Sequence, residues 1–370
     1  MNLFTLAARG LRFHRRTQLG VLAGCAVSAA VLAGALFVGD SVRASLGGIA
    51  LVRLGGLQSA LDTGNRYFRD DLPARLGLPS AAALQVKAMA FREEGDGKPR
   101  RQINRVELLG VDPAFLTFAG TPAGVVLEPG QVALGSRLAE ALAVRAGGEV
   151  ALRMAKPALL SRDAPLASRK ESATRRGLFT VAAVLSDAQL GRFSLRSDQS
   201  APYVAFTSLK GLQETLELPG LANLLVSPQV PGVLREALAR SWAVEDAGLS
   251  IRKLPDLVQL ESARSYLDPE VSARALELRP GSVGAVSYVV DSLASASGKS
   301  TPYSFVSALT PGPDARLGVV PADMKDDEIL VNRWLADQLL VKPGESLTVG
   351  WSELLPGDVF QPRSRAFRIR

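Results

Sequence analysis

One histidine and one cysteine are all that this 370-residue chain contains. His14 lies in a basic N-terminal arm, and a single imidazole supplies neither a zinc site nor the general base of a Ser–His or Cys–His nucleophile scheme. A Ser–Lys pairing survives on composition alone, since no spacing singles one out. Cys25 sits inside a long apolar run, so no intrachain disulfide forms and the folded part is held by its core alone, for which it is large enough. Cys25 itself reads as a small packing residue facing lipid or a neighbouring helix. Aromatics make up only 6% of the chain, and no basic run is interleaved with them to stack bases. The net charge of +7 therefore does not argue for nucleic acid. Hydrophobic content of 47% with 21% charged residues describes a folded protein.

Two phosphate- or metal-like motifs also fall short. Ser297-Gly298-Lys299-Ser300-Thr301 imitates the end of a nucleotide-binding loop, but Leu293 stands where the first glycine belongs and Pro302 interrupts the helix that should follow. No apolar strand is expected to lead directly into it. Asp323, Asp326, Asp327 and Glu328 crowd together without the alternating oxygens and turn glycine of a calcium loop, and read as a helix entry or a solvated turn. No cofactor and no metal site is expected.

What the chain does have is a stretch free of charge from Thr17 to Gly39, preceded by Arg9, Arg12, Arg15 and Arg16. At 1.5 Å per helical residue, Gln18 to Val38 spans roughly 30 Å, the thickness of a bilayer's hydrocarbon core. Only a helix satisfies its own backbone there, so one transmembrane helix is predicted at 17–39. Four arginines precede it, whereas Asp40 and Arg43 follow, which puts residues 1–16 in the cytoplasm and everything from Asp40 across the membrane. The arm is itself periodic: Leu3, Leu6, Ala7, Leu11 and Phe13 approximate one face, as suits an interfacial helix drawn to anionic headgroups. A cleavable signal is the rival reading, with Ala33-Gly34-Ala35 as its cleavage site. Its apolar core would run to roughly 7–15 residues, shorter than this one, so an uncleaved anchor is expected.

Beyond the span, Val42, Leu46, Ile49, Leu54, Leu57 and Leu61 keep helical spacing, loosened by Gly47-Gly48 and Gly55-Gly56. They predict a stalk helix within 40–65. Arg69 to Leu76 predicts a short helix stopped by Gly77. The chain then repeats itself: Leu138, Ala139, Leu142, Val144 and Gly147 match Leu335, Ala336, Leu339, Val341 and Gly344, each pair 197 positions apart. In both copies an apolar triplet enters a helix with a buried Leu-Ala-x-x-Leu face. A cation follows near its negative pole (Arg145 or Lys342), then glycine and a strand, Glu149–Met154 or Ser346–Val349. Upstream, Val106–Pro113 parallels Tyr303–Pro311, and downstream Leu178–Leu185 parallels Ala366–Arg370. The stop at Arg370, inside a strand, reads as truncation; the other reading is an edge strand Phe367–Arg370 at a true end.

Between the copies, strands are expected at Tyr203–Phe206, Leu221–Val226, Ile251–Leu254 and Leu257–Leu260. Helices are expected at Ser208–Glu217, Val233–Ser241 and Pro269–Leu278. The polar stretch Pro157–Gly177 reads as a solvated loop, with docking of an anionic headgroup or a partner as the sharper alternative. The fold class is α+β: one N-terminal transmembrane helix, then a mixed α/β extracytoplasmic domain with a duplicated strand-helix-Gly-strand unit. The first copy falls in 66–187, an inserted α+β subdomain in 188–300, and the second, truncated copy in 301–370.

A basic arm, one membrane helix and an external α+β domain with such a unit at each end resembles the FtsX-like/MacB-like permeases of ABC transporters. The residues that carry the resemblance are Val38-Gly-Asp-Ser-Val-Arg-Ala-Ser-Leu46, the units Ala133–Leu152 and Leu330–Val349, and the strand Phe179–Leu185; it covers the whole chain. The resemblance implies a permease fragment in the cell inner membrane, its N-terminus cytoplasmic and its main domain periplasmic. It would couple ATP hydrolysis by a separate cytoplasmic ATPase subunit to movement of that domain for export or extraction of a substrate. It further implies pairing as a homodimer or with a second permease half, and no catalytic residues of its own. Three further membrane helices belong to the family and are not among residues 1–370. The alternative is a single-span anchored binding or scaffold protein, which co-purification with a nucleotide-hydrolysing subunit would separate from a permease.

Overall fold

A computed structural model describes residues 3–94, 98–119, 124–156, 174–196, 200, 202–262, 267–310, 320–321, 323–355 and 359–370. It is mixed α/β: one long N-terminal apolar helix is followed by strand-rich structure in two compact units, 1–155 with 175–242 and 156–174 with 243–370. Residues 188–300, read from sequence as one insertion, are divided between them.

The first unit opens with α1 (Leu3–Phe13) and α2 (Arg15–Leu54). Then come β1 (Ser59–Asp62), β2 (Phe68–Arg69), α3 (Leu72–Leu76), and the long strands β3 (Ala81–Glu94) and β4 (Lys98–Val111). β5 (Gln131–Gly135), α4 (Ser136–Leu142), β6 (Glu149–Ala155) and β7 (Thr174–Leu185) follow. β8 (Tyr203–Ser208), α5 (Leu209–Leu216), β9 (Leu221–Ala222), β10 (Leu224–Ser227) and α6 (Pro231–Ser241) complete it. The main sheet runs β1-β10-β3-β4-β8-β5-β7-β6, and β6 also pairs with β3, so the six strands from β3 to β6 form a closed ring. β8 lies inside that ring, parallel to β4 and antiparallel to β5. One face of the sheet buries Val106, Leu108, Leu134 and Ala205 with the apolar sides of α4 and α5. The other buries Leu109, Val111, Phe115, Phe193 and Phe206.

The second unit contains β11 (Leu249–Lys253), β12 (Val258–Ser262), α7 (Pro269–Leu278), β13 (Ala285–Ser295) and β14 (Ser300–Leu309). After these come β15 (Glu328–Ile329), α8 (Arg333–Leu339), β16 (Ser346–Leu355) and β17 (Val359–Ile369). β11 and β12 form a separate hairpin, while the others make an open five-stranded sheet, β14-β13-β16-β17-β15. Its core is smaller, built on Val290, Leu293, Leu339, Val341, Leu347, Val349 and Ile369.

Several expectations need correction. The helix does not end at Gly39 or continue to Leu61: it runs unbroken through Gly47-Gly48 and stops at Leu54, where Gly55 takes φ +59° and ψ −125°. Leu57 turns into the core instead, and Leu61 belongs to β1. Of Arg69–Leu76 only Leu72–Leu76 is helical, because Phe68 and Arg69 pair with Ala222 and Leu221. The strand expected at Leu221–Val226 is split at Asn223, whose side chain holds the break. The imitation nucleotide loop is a hairpin turn, and β13 does lead into it: the Ser295 N–H donates to the Lys299 carbonyl at 2.9 Å. Of the polar stretch Pro157–Gly177, residues 157–173 lie outside the described residues, as does Pro311.

Candidate functional site

The first candidate element is α2. From Thr17 to Gly39 it carries no charge, and its Leu22, Val27, Val31, Leu32, Leu36 and Phe37 are all exposed. A helix apolar on every side fits an apolar surround, and this is the one helix among the described residues long and apolar enough to cross a membrane. At 40 residues it measures about 60 Å, twice the hydrocarbon thickness. Arg9 and Arg12 lie exposed on α1, and Arg15 and Arg16 are the first two residues of α2, so all four predicted orienting cations are solvent-accessible. Asp40 and Arg43 face each other at 3.7 Å one turn apart, both exposed, a geometry that contributes little.

At its far end α2 enters the first unit. The Gly56 N–H donates to the Phe118 carbonyl at 2.8 Å, and the Gln58 N–H donates to the Ser227 carbonyl at 3.0 Å. Leu57 is buried in the cluster that holds Leu109, Phe115, Phe193 and Phe206, with Leu54 packed against it, and Arg53 is buried too. A Cβ on Gly55 would stand 3.0 Å from the Phe118 carbonyl oxygen and 3.1 Å from Leu190. The junction therefore needs glycine for both its left-handed backbone and its close contact. Sequence reasoning marked Gly55-Gly56 only as loosening a stalk. The contact with Phe118, some sixty positions on, carries no local signal.

The second set of predicted residues lies in two places, one in each unit. In the first, Leu138, Ala139, Leu142 and Val144 are buried against the ring. The helix closes on Ala143 with φ +51°, and the Val144 N–H donates to the Ala139 carbonyl at 3.0 Å. Gly147, at φ +83°, donates to the Val181 carbonyl at 2.8 Å, and Val181 donates back to Gly148 at 2.8 Å. In the second unit Leu339 and Val341 are buried, while Leu335 and Ala336 are only half-buried against the same cluster. There the helix closes on Leu340 with φ +53°, and the Val341 N–H donates to Ala336 at 3.0 Å. Gly344, at φ +92°, donates to Ile369 at 2.7 Å, and Ile369 donates back to Glu345 at 2.8 Å. Arg145 and Lys342 lie beyond the helix ends, exposed, rather than in the last turn.

The acidic run is a turn, with a role that sequence proximity did not reveal. Arg370 donates to Asp323 at 2.6 Å and to Glu328 at 3.1 Å, tying the run to the end of β17. The hydrogen bond from Arg370 lowers the Asp323 pKa. Glu328 is lowered first by the Lys325 backbone N–H and then by Arg370, whose own pKa is raised in return. Among the described residues no three His, Cys, Asp or Glu side chains come together as a metal site.

No family model matches the chain, and no curated protein does. Among solved structures it is similar to the periplasmic region of MacB from Actinobacillus actinomycetemcomitans, at 10% identity and a TM-score of 0.33, over 61% of this chain and 96% of that one. It is also similar to the extracellular domain of the noncanonic ABC-type transporter YknZ from Gram-positive bacteria, at 9% identity and a TM-score of 0.29, over 55% of this chain and all of that one. Both likenesses are loose.

Proposed function

We propose that this chain is a membrane-spanning permease subunit of an ABC transporter. In this reading residues 1–16 are cytoplasmic, 17–39 cross the cell inner membrane, and everything from Asp40 onward stands on the periplasmic side. A cytoplasmic ATPase subunit supplies the energy, and the chain works as a homodimer or with a second permease half to export or extract a substrate. The observation that carries the reading is the continuity of α2: one helix runs from the basic arm to Leu54, and the next buried side chain, Leu57, is in the core of the first unit. A rod anchored at both ends passes a displacement from one side of a bilayer to the other, which a flexible tether does not. The sequence pattern that resembles FtsX-like/MacB-like permeases points the same way.

We further infer that the two units are built on one plan, with the strand-helix-Gly-strand element as its repeated part. Helix closure, glycine turn and return strand recur at matched positions in both. The test of the transport reading is affinity purification of the full chain from its native membrane. A nucleotide-hydrolysing subunit is expected to co-purify in stoichiometric amount, and recovery of the chain without one overturns it.

A further inference from the structure

Along α1, Phe4, Ala8 and Leu11 form one row at i, i+4 and i+7, and Leu6, Gly10 and Phe13 form a second. The helix positions of Leu3 and Ala7 lie between these rows on one side. On the other side runs a single polar row, Thr5, Arg9 and Arg12. Phe4 at 89% and Phe13 at 84% are the two most exposed large apolar side chains among the described residues, and Leu6 and Leu11 are more than half exposed. A helix that leaves this much apolar surface uncovered calls for an apolar surround.

The charges beside that surface are of one sign. No acidic residue precedes Asp40, at the far end of the charge-free run, so Arg9, Arg12, Arg15 and Arg16 form a patch without a carboxylate among them. His14 joins α1 to α2: its N–H donates to the Gly10 carbonyl at 3.0 Å, and its own carbonyl accepts from the Gln18 N–H at 2.9 Å. Its ψ of +20° nevertheless departs from the helical value of about −42°, so the axis bends there. The bend lies only about 5 Å along the helix from Thr17, where the charge-free run opens. What flanks α1 at that level is the headgroup layer of the bilayer that α2 crosses, and lipid phosphates supply the anions that residues 1–39 do not.

We propose that α1 is a lipid-binding helix that selects anionic phospholipid. Phe4, Leu6, Leu11 and Phe13 seat at the boundary of headgroups and acyl chains, and Arg9, Arg12, Arg15 and Arg16 hold lipid phosphates. The apolar rows alone give reversible contact with any bilayer, and the four arginines make that contact depend on the charge of the leaflet. This inference rests on the part of the proposed function in which residues 17–39 cross a bilayer. It adds a ligand class that transport does not require.

Nitroxide labels on the full chain in lipid nanodiscs test it. In a Cys25→Ser background they are placed at Leu11→Cys on an apolar row, at Thr5→Cys on the polar row, or at Val31→Cys within the span. The discs hold a single chain and consist of phosphatidylcholine alone or of phosphatidylcholine and phosphatidylglycerol in equal parts. In the mixed discs the label at position 11 is expected to be shielded from a water-soluble nickel relaxant while the label at position 5 stays open to it. In phosphatidylcholine alone the shielding at position 11 is expected to weaken. Arg9→Gln or Arg12→Gln is expected to lower the ratio of shielded to open label at position 11 by about fivefold in the mixed discs. Equal access at positions 11 and 5 in the mixed discs, with position 31 shielded, overturns this inference alone. Equal shielding at position 11 in both lipids overturns the selection of anionic lipid and the proposal with it. Shielding that appears only with two chains per disc shows a second copy on this face, and also overturns the proposal. Nickel access at position 31 overturns the membrane crossing beneath it.

Discussion

Gly56 donates its backbone N–H to the carbonyl of Phe118 at 2.8 Å, and through that bond the end of a 40-residue helix is fixed to the core of the first unit. The bond matters because the residue before it, Gly55, holds a backbone conformation that side-chain-bearing residues rarely adopt.

Replacing Gly55 by valine is expected to destabilise the first unit by about 1–3 kcal/mol, from the positive φ and the contact with Phe118 and Leu190. Gly47→Ala, at a helical position with open space, is expected to leave stability unchanged or raise it by up to about 1 kcal/mol. Thermal unfolding of both variants in detergent checks the contrast. Equal effects would mean that the junction is not specially constrained.

Truncating Leu142 or Leu339 to alanine should cost about 2–5 kcal/mol in the unit that contains it, since the two side chains are 0% and 1% exposed. Leu340, by contrast, is 64% exposed at φ +53°, the left-handed position that closes α8. Leu340→Gly is expected to stabilise by up to about 1 kcal/mol, because glycine adopts that conformation without a Cβ penalty. Denaturant midpoints followed by Trp334 and Trp351 emission, in a Trp242→Phe background, measure both changes in the second unit.

Asn223 is buried with every polar group engaged: it accepts from the Gln85 N–H at 2.7 Å and donates to the carbonyls of Gly64 and Gln85 at 2.9 and 3.0 Å. Asn223→Ala leaves those backbone groups without these bonds and is expected to cost about 1–3 kcal/mol. Exchange of the Gln85 amide should accelerate with it. An unchanged amide would refute the assigned role.

The Arg370 cluster sets a pH dependence. Asp323 and Glu328 have lowered pKa values in the fold. Their contribution is therefore complete above the ordinary carboxylate range and is lost as pH falls through the folded values. Carboxylate titration by NMR is expected to give a higher Asp323 pKa in Arg370→Gln than in the parent chain, and an unchanged value would contradict the pairing.

How far the sequence carried this picture follows from distance along the chain. α7 was legible to the residue, Pro269–Leu278, and α5 nearly so, because proline, a serine cap and helical spacing act locally. The paired glycines after Leu54 were visible, but the buried fate of Leu57 was not, since helical spacing continued past a break only tertiary contacts reveal. The end of β4 was legible as a strand from Val106 toward Pro113, but its partner β3 escaped notice for a chemical reason: Ala81, Ala82, Ala83, Ala88 and Ala90 line β3, buried on both faces, and alanine neither alternates nor favours strands. Arg370 reaches Asp323 across 47 positions, and β8 reaches β4 across nearly a hundred. No local pattern encodes either. The four arginines and the span behind them were the reverse case, a signal carried entirely by composition.

Cysteine accessibility across the membrane tests the central claim most directly. In a Cys25→Ser background, Asn65→Cys, exposed just past the junction, and Arg9→Cys, on α1, give one label site at each end of α2. A membrane-impermeant maleimide applied to intact cells or spheroplasts is expected to label position 65 at once and position 9 only after permeabilisation. Labelling in the opposite order, or recovery of both variants in the soluble fraction without detergent, would contradict the account.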